Sequence, residues 1–152
     1  MKKDLFFMKR AYEQALLGFK KEEIPVGAVV VYENEVISEA YNESIIKTDP
    51  TAHAEIVAIR KAASRIGNYR LTNAKMYVTL EPCIMCCGAL IHARFNKVIF
   101  STQDEKSGAA VSNGNLLEAN FINHYVQFEQ GPMQKESSDL LKKFFKIKRS
   151  KV

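Results

Sequence analysis

The chain has 152 residues, 47% of them hydrophobic and 26% charged, with a net charge of +5. That is enough to bury a substantial core as one domain over 1–152, and the composition excludes a collagen-like, low-complexity or disordered protein. No apolar run is long enough for a signal peptide or a membrane span, so the expected location is the cytoplasm, where three cysteines point to metal binding or catalysis rather than disulfides.

Residues 3–20 carry Leu5, Met8, Tyr12, Ala15, Leu16 and Phe19 at helical spacing, which predicts a first helix buried on that face. After Pro25 and Gly27, residues 26–32 and 36–41 read as two strands around a turn near Asn34. Residues 42–50 are polar and loop-like. Thr51 reads as the N-cap of a helix whose apolar face is Ile56, Ile59, Ala62, Ala63 and Ile66. A buried-type strand is predicted at 76–80. Pro82 suits the first turn of the next helix, which runs to about His92. Another strand follows at 97–101. Residues 102–123 form a long connection with one helical turn near Leu116, a fifth strand is predicted at 125–128, and a final helix at 135–148. Strands alternating with helices predict an α/β fold with a layered sheet, and the 26–41 hairpin makes that sheet mixed.

Two short segments carry the chemistry. His53-Ala54-Glu55 and Pro82-Cys83-Ile84-Met85-Cys86 supply one imidazole, two thiols and a spare carboxylate. Three protein ligands leave a fourth position of a zinc ion open, the arrangement of catalytic rather than structural zinc. Cys83 and Cys86 are three apart and share a helical face, where the free N–H groups of a first turn favour the thiolate that zinc binds. His53 and Glu55 are two apart, a spacing that works if both project from an opening turn, so that two helix starts hold the ion between them. Either segment alone is weak: Cys-x-x-Cys is also a redox pair or part of a closed zinc knuckle, and His-x-Glu is common by chance. Cys87 could complete a closed site, but neighbouring helix residues point about 100° apart, so it reads as a small packing residue. His92 and His124 stand outside any motif.

The charge is uneven. Basic and acidic residues cancel over 1–134, while Lys135, Lys142, Lys143, Lys146, Lys148, Arg149 and Lys151 face only Glu136 and Asp139 over 135–152. A basic terminal segment suits a polyanion. It is equally a solvated helix end whose lysines complement the dipole. Phe144 and Phe145 among these lysines suit base stacking with phosphate contact, one of the two belonging to the core.

His-x-Glu followed by Pro-Cys-x-x-Cys resembles the signature of zinc-dependent nucleobase deaminases. More narrowly, the chain resembles the bacterial tRNA-specific adenosine deaminases. The likeness runs through Pro25-Val26-Gly27-Ala28-Val29, Asp49 to Ile56, Asn68-Tyr69-Arg70-Leu71, Tyr77 to Cys83, Met85-Cys86 and Phe144-Phe145, nearly the whole chain. It implies a three-layer α/β/α sandwich around a five-stranded mixed sheet, and one Zn2+ per subunit held by His53, Cys83 and Cys86. Glu55 would be the proton shuttle. The resemblance also implies that Asn42 hydrogen-bonds a flipped nucleotide, that Asp104 contacts the backbone or sugar of a neighbour, and that an outward Phe145 with Lys148 and Arg149 holds a tRNA anticodon stem-loop. Family members act as homodimers with the substrate near the subunit interface. The implied reaction is hydrolytic conversion of adenosine to inosine at the wobble position. Two departures fall outside the zinc motif: Cys87 stands where a small residue such as Ala is usual, and residues 110–115 differ from the usual run. The competing readings are a deaminase of a free base or nucleoside, which needs no basic tail, and a non-enzymatic RNA-binding domain whose structural zinc would need a fourth protein ligand.

Overall fold

A computed structural model describes residues 2–151. Met1 and Val152, the two ends of the single domain expected over 1–152, lie outside the described residues. In chain order the elements are α1 (Lys2–Lys20), β1 (Gly27–Tyr32), β2 (Glu35–Tyr41), α2 (Ala54–Ile66), β3 (Lys75–Leu80), α3 (Ile84–His92), β4 (Lys97–Thr102), a short 3-10 turn (Leu116–Glu118), β5 (Gln127–Gln130) and α4 (Gln134–Ser150). The sheet order is β2-β1-β3-β4-β5. β1 is antiparallel to both β2 and β3, whereas β3, β4 and β5 run parallel. The hairpin between β1 and β2 turns through Glu33 and Asn34, both at positive φ, the backbone of a tight turn whose twist matches the strands.

Strand alternation divides the core into two layers. Val29, Val31, Tyr77 and Ile99 point to one face and pack with Phe7, Met8 and Ala11 of α1. Their neighbours Ala28, Val30, Met76, Val78, Val98 and Phe100 point to the other, against Ala54, Val57, Ala58 and Ala62 of α2 and Cys87, Leu90 and Ile91 of α3. The register makes each layer continuous, since Val29 pairs with Tyr77 and Tyr77 with Ile99. α4 lies on the α1 face, where the rings of Phe19 and Phe144 meet edge to face. The result is a three-layer α/β/α sandwich on a five-stranded mixed sheet. Full burial of residues such as Phe95, Phe100 and Leu90 contributes about 1.5–3 kcal/mol each before entropy is counted.

Several expectations shift in detail. α1 is buried along Phe7, Met8, Ala11, Ala15 and Gly18, leaving Leu5 and Leu16 exposed. The apolar residues of this helix run almost all round, so spacing alone did not fix its phase. Thr51 is not an N-cap: it donates to the Asp49 carboxylate, and α2 begins three residues later with His53 at the cap position. Pro82 lies outside α3, whose cap is Cys83. β5 sits two residues later than predicted, because only Gln127–Gln130 can pair with the edge of β4, while Tyr125 is exposed.

Gly27 marks the closest approach of α1 to the sheet. A Cβ there would overlap the Ala11 carbonyl and press on the Ala15 amide. Gly27→Ala should therefore destabilise the fold by about 1–3 kcal/mol, the usual cost of overpacking. The urea midpoint reads this directly; an unchanged midpoint would mean that α1 does not pack this tightly.

Candidate active site

The carboxyl ends of the parallel strands in an open α/β sheet are where loops can converge without breaking the ladder. Here that edge collects the ends of β3 and β4. Because β1 and β2 are antiparallel to each other, the start of β1 and the end of β2 come to the same edge. α3 starts directly after β3. α2 starts beside it after the 42–53 loop.

His53 and Cys83 occupy equivalent positions, each the N-cap of its helix with extended backbone and no side-chain capping hydrogen bond. Both side chains are thus free to turn toward each other. The Nδ1 of His53 stands 3.6 Å from Cys83 Sγ and 3.6 Å from Cys86 Sγ. All three donor atoms lie within 4.8 Å of one another, the one such group of His, Cys, Asp or Glu among the described residues. In tetrahedral zinc with ordinary bond lengths, nitrogen and sulfur ligands lie about 3.5 Å apart. One borderline-soft imidazole and two sulfurs at that separation fit a zinc ion. The positive ends of α2 and α3 both point at the cluster and favour negative charge there.

The thiols respond to this setting. Cys83 is pulled down to about 4, first by the hydrogen bond from Cys86 and next by His53, against the effect of burial. Cys86 is pushed well up by that same hydrogen bond, then by burial and the nearby Glu55. His53 is raised, chiefly by its hydrogen bond with Cys83, with burial opposing and Glu55 assisting. Proton and cation therefore compete for one imidazole nitrogen. Cys87 is buried, offers its thiol to the Pro82 carbonyl, and is raised to about 12 by burial. It is a packing residue in this geometry, as its sequence position suggested.

Glu55 sits in the first turn of α2 and is buried beside the cluster. Burial lifts its carboxyl to about 6, although its own backbone amide and the His53 charge pull the other way. A carboxyl poised near neutrality both accepts and donates a proton at working pH.

A cleft of about 810 Å³ opens over this group. Its walls include His53, Glu55 and Cys83, Asn42 from the end of β2, Asp104 after β4, and Phe145, Lys148 and Arg149 from α4. Every site residue proposed from sequence lines this one cleft except Cys86, which lies beneath Cys83. Asn42 is buried, and its Oδ1 accepts from Ser44 Oγ at 2.9 Å, while its amide group makes no hydrogen bond among the described residues. Phe144 is the buried member of its pair and Phe145 is 42% exposed. His92 lies at the end of α3, and His124 bonds the Phe95 carbonyl at 2.8 Å; neither enters the cleft. Glu81 also lines the cleft and was not singled out from sequence. The available signal was a carboxylate at the end of a buried strand, where it has to find donors.

Residues 1–102 match the profile of the cytidine and deoxycytidylate deaminase zinc-binding region. The chain belongs to that family. A tRNA-specific adenosine deaminase of Aquifex aeolicus (strain VF5) is 46% identical over 147 residues, which is 97% of either chain. A structure solved in work on A-to-I editing by tRNA:A34 deaminases at the wobble position of transfer RNA superposes with a TM-score of 0.87 at 36% identity, covering 90% of this chain and 99% of that one. The X-ray structure of guanine deaminase from Bacillus subtilis superposes with a TM-score of 0.63 at 31% identity, covering 95% of this chain and 92% of that one.

Cys83→Ala removes one of the three donor atoms of the group. Metal analysis of the purified variant should show less than a fifth of the wild-type zinc content. Full occupancy would mean that the ion is held elsewhere.

Proposed function

We propose that this protein converts adenosine to inosine at the wobble position of a tRNA anticodon by hydrolytic deamination. The observation that carries the reading is that one cleft joins the His53–Cys83–Cys86 group and Glu55 to an aromatic and basic wall, Lys142, Phe145, Lys148 and Arg149. A small free base needs only the first half. A nucleotide within RNA uses both, its base below and its phosphates and neighbouring bases above. The anticodon loop presents unpaired bases that splay out cheaply.

His53, Cys83 and Cys86 hold one zinc ion per subunit in this reading. When bound, zinc lowers the pKa of a coordinated water towards ~7 and so supplies the nucleophile near neutral pH. Glu55 would take a proton from the attacking water and deliver it to N1 of the adenine ring as the C6–O bond forms. It would then move the proton of the new C6 hydroxyl to the exocyclic amine, which leaves as ammonia as the C6–N bond breaks and the C6 carbonyl forms. One carboxylate serves both transfers because water, N1 and amine lie on the same side of the ring, and its raised pKa suits both directions. Asn42 offers its amide group to the flipped nucleotide, and Asp104 meets the sugar or backbone of a neighbour. Phe145 stacks on a base outside the pocket, and Lys148 and Arg149 meet phosphates.

The cytoplasm is the compartment that fits, because reduced thiolates are needed and no helix among the described residues is long and apolar enough to cross a membrane. A homodimer fits apolar side chains left at the surface. Ile84, next to Cys83, is 70% exposed and Phe121 is 79% exposed.

Likeness to a guanine deaminase keeps a free-base reading in play, and substrate competition separates the two. Inosine formation on an anticodon stem-loop should exceed turnover of free adenine, guanine or cytosine by at least a hundredfold in kcat/KM. The reverse preference would overturn the RNA reading. Glu55→Ala should keep its zinc and lose 10²–10⁴-fold in kcat, the usual range for a removed acid–base group. Replacing Lys148 and Arg149 together by Ala should lower the slope of log affinity against log salt by about 1.4, at about 0.7 per phosphate contact on a single strand.

A further inference from the structure

Glu81 is the last residue before Pro82 and Cys83, and it is 2% exposed. A buried carboxylate has to be satisfied by donors, and this one draws all of them from a single loop. Its Oε1 accepts from the Asp104 amide at 3.0 Å. Its Oε2 accepts from the amides of Ala110, Val111 and Ser112 at 3.1, 2.8 and 2.9 Å. The Ser112 hydroxyl also donates to Oε1. The loop after β4 is thereby wrapped around one side chain, fastened at both ends of the segment that carries Gln103 to Ser107 along the cleft wall.

Backbone contacts tie the same loop to the metal-binding segment. Gly108 bridges Cys83, and the Ala109 amide donates to the Pro82 carbonyl at 2.9 Å. Gly108 faces the Glu81 carboxylate so closely that a Cβ would overlap it. Loop and carboxylate fit only with glycine there.

We propose that Glu81, with Gly108 opposite, is a positioning residue that sets where Asp104 and its neighbours stand and thereby governs how tightly RNA enters the cleft. The role rests on the RNA-deaminase reading above. Glu81 reaches none of the reacting atoms. It acts through Asp104, whose amide it holds and whose carboxylate in turn accepts from the amides of Lys106 and Ser107 at 3.2 Å each. Residues 110–115, where this chain differs from the run usual in the proteins it resembles, supply three of the amides. Amide donors come from the backbone whatever the side chains, so the clamp tolerates that divergence.

The test uses the full chain with its zinc, and two variants that disturb the contact from opposite sides. Glu81→Gln keeps the shape but turns an amide group toward backbone donors. Gly108→Ala forces the loop away from an intact carboxylate. In both, hydrogen exchange at the amides of Asp104, Ala110, Val111 and Ser112 should quicken at least tenfold, with zinc content unchanged. KM for the anticodon stem-loop should rise at least tenfold while kcat stays within about threefold. The double variant should be no worse than the more impaired single one, because both break one contact. Unchanged exchange at these amides, or a fall in kcat with zinc loss at unchanged KM, would overturn the proposal and make Glu81 a support of Cys83 instead. Exchange reports on the clamp whether or not RNA is the substrate. If the wild type leaves the stem-loop unedited, it is the functional reading that fails, and exchange still decides the clamp.

Discussion

Three soft donor atoms, two sulfurs and an imidazole nitrogen, lie at the mutual distances of ligands around one small cation, and the rest of the site is arranged to make this tolerable. Packing thiolate charge into a half-buried place is costly unless something compensates it. Here the starts of two helices supply that compensation, because His53 and Cys83 are both cap residues whose extended backbones let their side chains leave the helix axis. The pairing of β2, β1 and β3 places the strand ends from which those two starts follow, and strand register is set by a core with little freedom to slip. The cluster is thus a consequence of the sheet rather than an addition to it.

Around the cluster the protein separates chemistry from recognition. Glu55, the proposed proton carrier, is buried, so its pKa is governed by desolvation and fixed neighbours, not by mobile solvent. The groups that would meet RNA are borne on more exposed elements, the loop after β4 and the outer face of α4. Basic side chains there also lie against aromatic surface: the Lys148 ammonium stands 5.5 Å from the centre of the Phe144 ring. A cleft divided in this way can change its partner by altering α4 and the loop while the metal-binding floor is left alone. That is consistent with one fold accommodating both a tRNA:A34 deaminase and a guanine deaminase.

That His53, Cys83 and Cys86 come together was legible in the sequence because the types and number of donors in the two short segments restrict the pattern. The layered sheet was legible too, since its strands are short apolar runs separated by polar loops. What escaped was what depends on tertiary contact. α1 has apolar side chains on most of its circumference, so its buried face is chosen by where Gly27 lets it settle. β5 is a polar edge strand, and only pairing with β4 defines it. Thr51 resembles a cap, but Asp49 takes its hydroxyl. Glu81 looks like an ordinary charged residue until its five donors, all more than twenty residues away in the chain, are brought around it by folding.

X-ray absorption at the zinc edge tests the central claim most directly. The protein as purified should show two sulfur ligands at about 2.3 Å and two lighter ligands near 2.0 Å, an imidazole and an exchangeable water. Three sulfurs, or an ion absent from protein that still deaminates, would contradict it.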